Sequence, residues 1–358
     1  MKIRRFIAVF LSALILCGVL TVPAAALEDP AIRAKAALLV EAETGTILYD
    51  KNIHDELSIA STTKIMSALL VFEAIDRGEL RLDQQVTATA TALRGLPEDG
   101  STADIVEGET LTVEQLLYCM LVISANETCN ILGEAVAGSV DAFVEQMNAR
   151  AAELGMTNTS FRNACGLDTE EHLSTARDVA TLSCYILNTC PELLHYTGIW
   201  TDSLRNGQTQ LVNTNKLLKR YSGITGLKTG TTGGAGICIS ASATRNGLSL
   251  IAVILGAPSS ADRFDAATTL LDYGFGAYEA APLPKLEAQP LQITVRGSAA
   301  GSVPLDYSAL PETVLVEKGS GASLHTELTL PEELEAPVER GQTLGKAAVY
   351  QGEALLEE

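Results

Sequence analysis

The sequence predicts an α+β fold, in which helices pack on one antiparallel sheet, followed by a small all-β domain. Helical periodicity fills the middle of residues 27–280, strand patterns lie at both ends of that block, and only short alternating strands follow residue 290. Because strand patterns enclose the helical ones, we expect a single antiparallel sheet that carries the helices. The chain has 358 residues and is 47% hydrophobic, which suffices for two domains with buried cores.

The first 26 residues have the pattern of an export signal. Three basic residues precede an almost wholly apolar run at 6–22, and three alanines end at Ala26. We therefore expect cleavage after Ala26 and a mature protein that is secreted or associated with the cell wall. The apolar run of 17 residues is also at the lower limit for a membrane span, so an N-terminal anchor is the less favoured alternative.

Composition excludes some functions. The chain carries 25 Lys and Arg against 44 Asp and Glu, a net charge of −19, and loss of the signal brings it to −22. No basic block offsets this charge, so nucleic acid is not an expected partner. Six cysteines remain after cleavage, without a CxxC or Cys/His cluster, so no metal or other cofactor is expected. Six cysteines could pair in 15 ways, but we interpret them as small buried hydrophobes with at most one disulfide.

The elements of the first block follow from its periodicity. A strand at 36–40 turns at Gly45 and returns at 46–49, which predicts a hairpin. Helical spacing then extends over 58–77 and ends at Gly78. Further helices are predicted at 112–121, 127–137, 140–154 and 176–187, strands at 236–243 and 248–255, and a last helix at 261–273 that stops at Gly274. The residues between the two strands, Asn246 and Gly247, favour a hairpin turn.

The proline-rich segment 281–290 is predicted to be a linker between the first domain, 27–280, and a β domain, 291–358. Pro and Gly punctuate the β domain, for which strands are predicted at 292–296, 303–307, 313–317, 324–330 and 347–350. No catalytic group stands out there, so we expect a spacer or docking domain.

The chemistry is predicted to lie elsewhere, since the common hydrolytic signatures GxSxG, HExxH and the Walker loop are absent. The histidines are scattered singly and are expected to be structural: His54, His172, His195 and His325. Ser61 and Lys64, in contrast, lie one turn apart at a helix start, on the same face. A lysine amine that is partly deprotonated can activate a serine hydroxyl, and the positive end of the helix favours an oxyanion there. Chance matches to SxxK are common, but only Lys64 among the ten lysines has this serine.

Two further motifs follow. Ser124 and Asn126 lie in a break between helical patterns, where a hydroxyl can relay a proton and an amide can hold a substrate carbonyl, or where the motif is simply an N-cap. Lys228, Thr229 and Gly230 lie at the end of a plausible strand. There a cation and a hydroxyl can receive a carboxylate, and glycine admits close approach.

In this order, separated by 63 and 104 residues, the three motifs resemble those of the low-molecular-mass penicillin-binding proteins, specifically the serine D-alanyl-D-alanine carboxypeptidases. The resemblance includes segments at 154–156, 159–161, 166–167, 175–178, 213–215 and 235–236, and the family's C-terminal β domain at 336–338 and 341–342. It implies a β-lactamase/transpeptidase-like first domain, peptidoglycan stem peptides as substrates and β-lactams as covalent inhibitors.

The resemblance also implies roles for the matching residues. They are Ser61, Lys64 and Ser124 in catalysis, and Asn126, Lys228, Thr229, Gly230, Thr231 and Arg263 in substrate binding. Ser61 would be acylated by the penultimate D-Ala carbonyl with Lys64 as base, and the N–H groups of Ser61 and Thr231 would form the oxyanion hole. Arg263 would help to hold the terminal carboxylate, although a surface arginine is an equal alternative.

Several alternatives stay open. A secreted serine β-lactamase shares the spacing, but its Glu-x-x-Leu-Asn element is not found between Ser124 and Lys228, and it lacks the β domain. A D-Ala endopeptidase uses the same machinery, and a silent wall-binding or penicillin-sensing module would be expected to lose its nucleophile. The chain departs from the family at Ala125, where glycine is frequent, and at 353–358, which cannot form the amphipathic C-terminal membrane helix of many relatives. We therefore expect no anchor of that kind.

Overall fold

The computed structural model describes residues 30–284, 286, 290–308 and 310–357. The predicted export signal, which ends at Ala26, lies outside the described residues. Within the described part of the chain, no helix is long and apolar enough to cross a membrane.

The first domain is built on a five-stranded sheet with the order β2-β1-β9-β8-β7, and every pairing in it is antiparallel. Its strands and those of two small hairpins are β1 (Ala36–Glu41), β2 (Ile47–Lys51), β3 (Gln85–Thr87), β4 (Thr110–Thr112), β5 (Thr201–Leu204), β6 (Thr209–Val212), β7 (Ile224–Thr232), β8 (Gly236–Arg245) and β9 (Leu248–Ala257). The predicted single antiparallel sheet is confirmed. The hairpins β3–β4 and β5–β6 were not predicted, since their short polar strands carry no apolar pattern.

Helices cover both faces of this sheet. They are α1 (Lys64–Asp76), α2 (Ala90–Leu93), α3 (Val113–Leu121), α4 (Asn126–Ala137), α5 (Val140–Glu153), α6 (Ala176–Thr189), α7 (Leu193–Thr197) and α8 (Ser260–Ala277), with 3-10 turns at Ala60–Thr63, Arg205–Gly207 and Lys216–Lys219. Alternate residues of β1 belong to different cores: Leu38 packs in the one formed with α1 and α3–α6, and Leu39 in the one formed with α8. A strand buried on both faces reads as an unbroken apolar run, which is why β1 was recognisable.

The turn between β8 and β9 follows the sequence prediction. Asn246 and Gly247 have φ angles of +50° and +83°. A two-residue hairpin turn whose twist matches the strands requires positive φ at both positions, and Asn-Gly is the dipeptide that tolerates it best. The two strands of the sheet that carry most of its core are therefore joined as expected.

The prediction that the last helix stops at Gly274 is wrong, because α8 continues to Ala277. A Cβ on Gly274 would lie 2.5 Å from a methyl of Leu250 and 2.9 Å from one of Leu39. The glycine therefore lets the helix lie close against the sheet, and it is a packing residue rather than a helix stop.

The C-terminal part consists of short strands in small sheets. They are β10 (Tyr278–Pro282), β11 (Gln292–Arg296), β12 (Ser302–Pro304), β13 (Thr313–Glu317), β14 (Leu324–Thr329), β15 (Glu333–Glu335), β16 (Lys346–Gln351) and β17 (Ala354–Glu357), with a 3-10 turn at Gly321–Ser323. Strand β10 pairs with β13, β11 lies between β12 and β15, and β16 lies between β14 and β17. The segment 281–290, predicted to be a linker, thus begins inside a strand.

The six cysteines that follow the predicted export signal are all described, and they are free and form no disulfide. All are buried except Cys184, which is partly exposed. Burial raises the pKa of the Cys129 thiol to about 12, which keeps it neutral. These side chains act as the small hydrophobes that the sequence suggested.

Candidate active site

Ser61 and Lys64 lie where the 3-10 turn Ala60–Thr63 passes into α1. The Lys64 Nζ donates to the Ser61 Oγ at 2.9 Å. The Lys64 side chain is completely buried, whereas Ser61 remains partly exposed. The geometry therefore combines an accessible hydroxyl with an amine that water does not reach.

Two other groups fix the Lys64 amine. It donates to the Oδ1 of Asn126 and to the backbone carbonyl of Cys165, each at 2.8 Å. Both oxygens can only accept, so they take two N–H bonds of the amine. In the neutral amine the remaining lone pair points at the Ser61 hydroxyl. This arrangement can transfer the hydroxyl proton to nitrogen as the oxygen attacks.

Ser124 lies in the tight connection between α3 and α4, and Asn126 is the first residue of α4. Ser124 has a φ of +69°, a strained conformation for a residue with a side chain, which is typical of functional positions. The alternative that this motif is an N-cap is wrong: Ala125 occupies the N-cap of α4, and no side chain caps it. Asn126 instead turns its carbonyl oxygen to Lys64, which joins the second motif to the first.

The third motif lies within β7 rather than at its end. A Cβ on Gly230 would lie 2.9 Å from the Ser61 nitrogen, so this strand can pass beside the nucleophile only as glycine. The Thr229 hydroxyl is 2.6 Å from that of Thr214, a contact that the sequence did not predict. Lys228 is fully buried and donates to the Thr229 carbonyl at 3.0 Å.

Positive charge accumulates at this place. Lys64, Lys228 and Arg263 are buried, and among the described residues none of them forms an ion pair with a carboxylate. Burial lowers the pKa of Lys228 well below its usual range, and the charges of Lys64 and Arg263 lower it further. Burial also lowers the pKa of Arg263 to about 10. An anionic ligand would supply the missing compensation.

The alternative that Arg263 is a surface residue is wrong, since only 6% of it is exposed. Its Nη1 donates to the carbonyls of Gly230 and Cys238, both at 3.2 Å, which are paired residues of β7 and β8. Arg263 therefore contacts the strand pair behind the third motif. Its Nη1 also lies 3.4 Å from the Thr231 hydroxyl.

A loop before α6 supplies contacts that the three sequence motifs did not predict. It provides the Cys165 carbonyl to Lys64 and the Asp168 carboxylate to Thr232 and Gly234. The one local signal was Asn163 three residues before Gly166, because asparagine side chains bond the backbone a few residues onward. Among the described residues, no cluster of His, Cys, Asp or Glu is arranged to hold a metal ion.

A serine hydroxyl beside a buried lysine amine, a second serine at positive φ and a Lys-Thr-Gly strand together form the kind of site found in active-site serine hydrolases. The sequence profile described as D-alanyl-D-alanine carboxypeptidase matches residues 23–259, and that described as penicillin-binding protein 5, C-terminal domain, matches residues 291–358. The chain therefore belongs to the D-alanyl-D-alanine carboxypeptidase family.

Individual proteins that are similar to this chain point to the same family. The D-alanyl-D-alanine carboxypeptidase DacF of Bacillus subtilis is 36% identical over 92% of this chain and 85% of its own. The structure of penicillin-binding protein 5 from Haemophilus influenzae matches with a TM-score of 0.80 and 28% identity, over 92% of this chain and 95% of that one. Penicillin-binding protein D2 of Listeria monocytogenes, solved in an ampicillin-bound form, matches with a TM-score of 0.63 and 34% identity over 69% of this chain and 99% of that one.

Proposed function

We propose that the chain is a serine-type D-Ala-D-Ala carboxypeptidase that removes the terminal D-alanine of peptidoglycan stem peptides through an acyl-enzyme on Ser61. Family membership supports the activity. The observation that carries the choice of nucleophile is the buried Lys64 amine, held by two acceptors with its third direction toward the Ser61 Oγ.

In the first step Lys64 takes the hydroxyl proton while the Ser61 Oγ attacks the penultimate D-Ala carbonyl. The N–H groups of Ser61 and Thr231 stabilise the oxyanion that forms. The carbon–nitrogen bond then breaks while the Ser124 hydroxyl relays the proton from Lys64 to the leaving amine of the terminal D-alanine, which leaves Lys64 neutral again. Water hydrolyses the remaining ester and restores the Ser61 hydroxyl.

The terminal carboxylate of the substrate lies against Lys228 and Thr229. The buried cations without a carboxylate partner support this placement, because an anion there offsets their mutual repulsion. Asn126 positions the stem peptide, and Gly230 admits it beside β7. Arg263 lies beside this region, where its Nη1 donates to the Gly230 carbonyl of β7, and it helps to hold the same carboxylate.

Product analysis tests this function directly. A peptide that ends in Lys-D-Ala-D-Ala should lose one D-alanine with the wild-type protein and none with Ser61→Ala. Cleavage of cross-linked dimers at a higher kcat/KM than this peptide would identify an endopeptidase instead. Absence of any cleavage by a folded wild-type protein would contradict the proposed activity.

We also propose that β-lactams acylate Ser61, as the ampicillin-bound relative suggests. Benzylpenicillin should add one drug mass to the intact protein, and Ser61→Ala should stay unmodified. An adduct that persists in Ser61→Ala would show that the nucleophile is another residue. Release of hydrolysed drug within seconds would favour the β-lactamase alternative.

The mature enzyme is proposed to act outside the cytoplasm after cleavage at Ala26. The sequence pattern of the first 26 residues supports this localisation. Fractionation with N-terminal sequencing should find a chain that begins at Leu27 in the extracytoplasmic fraction. A full-length chain that needs detergent for release would show that the apolar run at 6–22 is an anchor.

A further inference from the structure

The loop that contacts Lys64 is closed at its base. Ser160 and Leu173 exchange two backbone hydrogen bonds, of 2.9 and 3.1 Å, and the next residue, Ser174, exchanges two more with Leu57, of 2.8 and 2.9 Å. We name residues 160–173 the 160–173 loop. Since Leu57 precedes Ser61 by four residues, this loop begins and ends beside the segment that carries the nucleophile.

One side chain fixes the interior of the loop. The Oδ1 of Asn163 accepts the N–H groups of Cys165, Gly166 and Leu167 at 3.2, 2.7 and 3.0 Å, and its Nδ2 donates to the Leu167 carbonyl at 2.9 Å. This turn directs the Cys165 carbonyl to the Lys64 amine. Asn163 thus determines where an acceptor of the base lies, although it does not touch the base itself.

The same turn lies against the nucleophile. Gly166 has a φ of +87°, and a Cβ on it would lie 2.0 Å from the Ala60 carbonyl oxygen and 2.9 Å from the Ser61 nitrogen. Gly166 therefore packs directly on the peptide group that joins Ala60 to Ser61. Any displacement of the loop moves the Ser61 N–H as well.

Two residues further on, Asp168 reaches the end of β7. Its Oδ1 accepts the Thr232 hydroxyl and its Oδ2 accepts the Gly234 N–H, both at 2.7 Å. Thr232 follows Thr231, whose N–H is the second proposed oxyanion donor. Both hydrogen bonds are solvent-exposed, and together they join the Asp168 carboxylate to the end of β7 at two points.

We propose that the 160–173 loop keeps the base and both oxyanion donors in register, with Asn163 and Asp168 as its positioning residues. Asn163 acts on Lys64 through the Cys165 carbonyl, and Asp168 acts on Thr231 through the neighbouring Thr232. This inference rests on the proposed function, since it concerns the same acylation step, but it assigns a role to two residues outside the three motifs.

Asp168→Asn in the mature protein tests the oxyanion side. The amide keeps the size and one acceptor for the Gly234 N–H, but its N–H group replaces the acceptor of the Thr232 hydroxyl, and both hydrogen bonds lose their charge. We expect the benzylpenicillin acylation rate constant and kcat to fall about tenfold, which corresponds to about 1.4 kcal/mol, with KM changed less than twofold. Acylation within twofold of wild type would overturn this part of the proposal. If Asp168→Asn does not fold, Thr232→Val removes the same hydrogen bond from the other side and should slow acylation in the same direction.

Asn163→Ala and Asn163→Asp test the base side through the pH profile of acylation. In Asn163→Ala the Cys165 carbonyl is no longer held against the Lys64 amine. Because a carbonyl acceptor favours the protonated amine, the acid limb of the pH–rate profile should move to lower pH. The plateau of the acylation rate should fall. Asn163→Asp keeps the oxygen that accepts the three N–H groups but loses the donor to the Leu167 carbonyl, so it should restore both only in part. A lower plateau with an unmoved acid limb would show that Asn163 has only a structural role.

Glu171→Gln is the matched control in the same loop. Its exposed carboxylate pairs with Arg162 at 2.6 Å and lies on the outer part of the loop. This variant removes one negative charge, as Asp168→Asn does, and should keep the wild-type rate, KM and pH profile. An equal loss in Glu171→Gln would overturn the specific role of Asp168. A folded wild-type protein that benzylpenicillin does not acylate would contradict the proposed function, whatever the loop variants do.

Discussion

The first domain and the C-terminal β domain bury their apolar residues in different ways. In the first domain two cores lie on opposite faces of one sheet, and all residues of β1 are buried. Among the described residues of the β domain, the cluster of buried apolar side chains is small, with Ile293 and Val295 buried outside it: Ala281, Val314, Val316, Leu324 and Val349. One of these, Ala281, comes from β10, which directly follows α8 and pairs with β13.

The difference explains where chemistry can reside. Buried cations without a carboxylate partner and a serine at positive φ each cost free energy, and only a domain with a large core can offset such costs. In its described residues the β domain has no core of that size, and it is held in part by hydrogen bonds to the first domain. Lys318 donates to the carbonyls at the end of α8, through its N–H to Ala277 at 2.8 Å and through its Nζ to Phe275 at 2.5 Å.

The largest expected effect concerns the buried base. Lys64→Arg keeps the positive charge but cannot release a proton, since the guanidinium stays protonated. We expect acylation by benzylpenicillin to fall at least about a thousandfold, or roughly 4 kcal/mol in the barrier, as measured by intact-protein mass spectrometry over time. The conservative Lys318→Arg in the β domain is the control and should acylate normally. Retained acylation in a folded Lys64→Arg would remove this lysine from the mechanism.

Two glycines at similar φ sharpen the comparison. Gly166 has a φ of +87° and touches the Ala60 carbonyl, whereas Gly341 in the β domain has a φ of +82°, and no described atom lies within 4 Å of the place that its Cβ would take. Alanine at Gly341 should cost only the backbone strain, about 1–2 kcal/mol. Alanine at Gly166 adds a collision with backbone, and we expect roughly 4 kcal/mol or more and a large loss of acylation. Urea unfolding of the two variants would measure the difference, and equal costs would contradict the close packing at Gly166.

Sequence periodicity predicted the regular elements of the first domain well, because buried helices and strands carry strong apolar patterns. The helix predicted at 112–121 is observed as Val113–Leu121, and the strand predicted at 248–255 as Leu248–Ala257. Periodicity failed where tertiary packing decides. Gly274 reads as a helix stop but provides clearance over Leu250, and Ala281 reads as part of a linker but lies in the core of the β domain.

Only the side-chain groups of the site that belong to recognisable motifs could be predicted from the sequence. Ser61, Lys64 and Asn126 could be found by their types and spacing, and the structure joins them by direct hydrogen bonds. The Cys165 carbonyl could not be found in this way, because every residue has a backbone carbonyl and only the fold directs one to an amine. Asp168 was missed because one aspartate among many acidic residues has no distinguishing pattern until β7 lies beside it.

A buried histidine, His172, gives the first domain a pH-dependent stability. The Nδ1 of His172 accepts the Arg162 N–H at 3.0 Å, its Nε2 lies 2.9 Å from the Thr63 hydroxyl, and burial lowers its pKa from 6.5 to about 4. Because the pKa of His172 is lower in the folded protein than in the unfolded chain, the neutral imidazole contributes to the free energy of unfolding above pH 6.5. This contribution, up to about 3 kcal/mol, is lost as the pH falls toward 4.

The measurement is the urea midpoint between pH 7 and pH 4. His172→Asn should be less stable at pH 7 but should show a shallower loss on acidification than wild type. His325, which lies partly exposed in the β domain and stacks on Tyr350, is the control, and His325→Asn should keep the wild-type slope. A wild-type slope in His172→Asn would assign the acid sensitivity to other groups.

The smallest expected effect is the difference between the same substitution, valine to alanine, in the core of each domain. Val349 in β16 and Val253 in β9 are both buried, with 2% and 0% exposed. Removing two methyl groups costs about 1–2 kcal/mol by transfer alone, and a rigid surrounding adds the cost of a cavity. We therefore expect about 1–2 kcal/mol for Val349→Ala, where a thin core can collapse, and roughly 2–3 kcal/mol for Val253→Ala, where the sheet is covered on both faces.

Calorimetry should show a lower transition for the β domain in Val349→Ala, with acylation at 25 °C within twofold of wild type. In Val253→Ala the loss of acylation on heating should instead move to lower temperature. If Val349→Ala slowed acylation as much as Val253→Ala, the thin core of the β domain would be part of the support of the active site, and the functional separation of the two domains would be wrong.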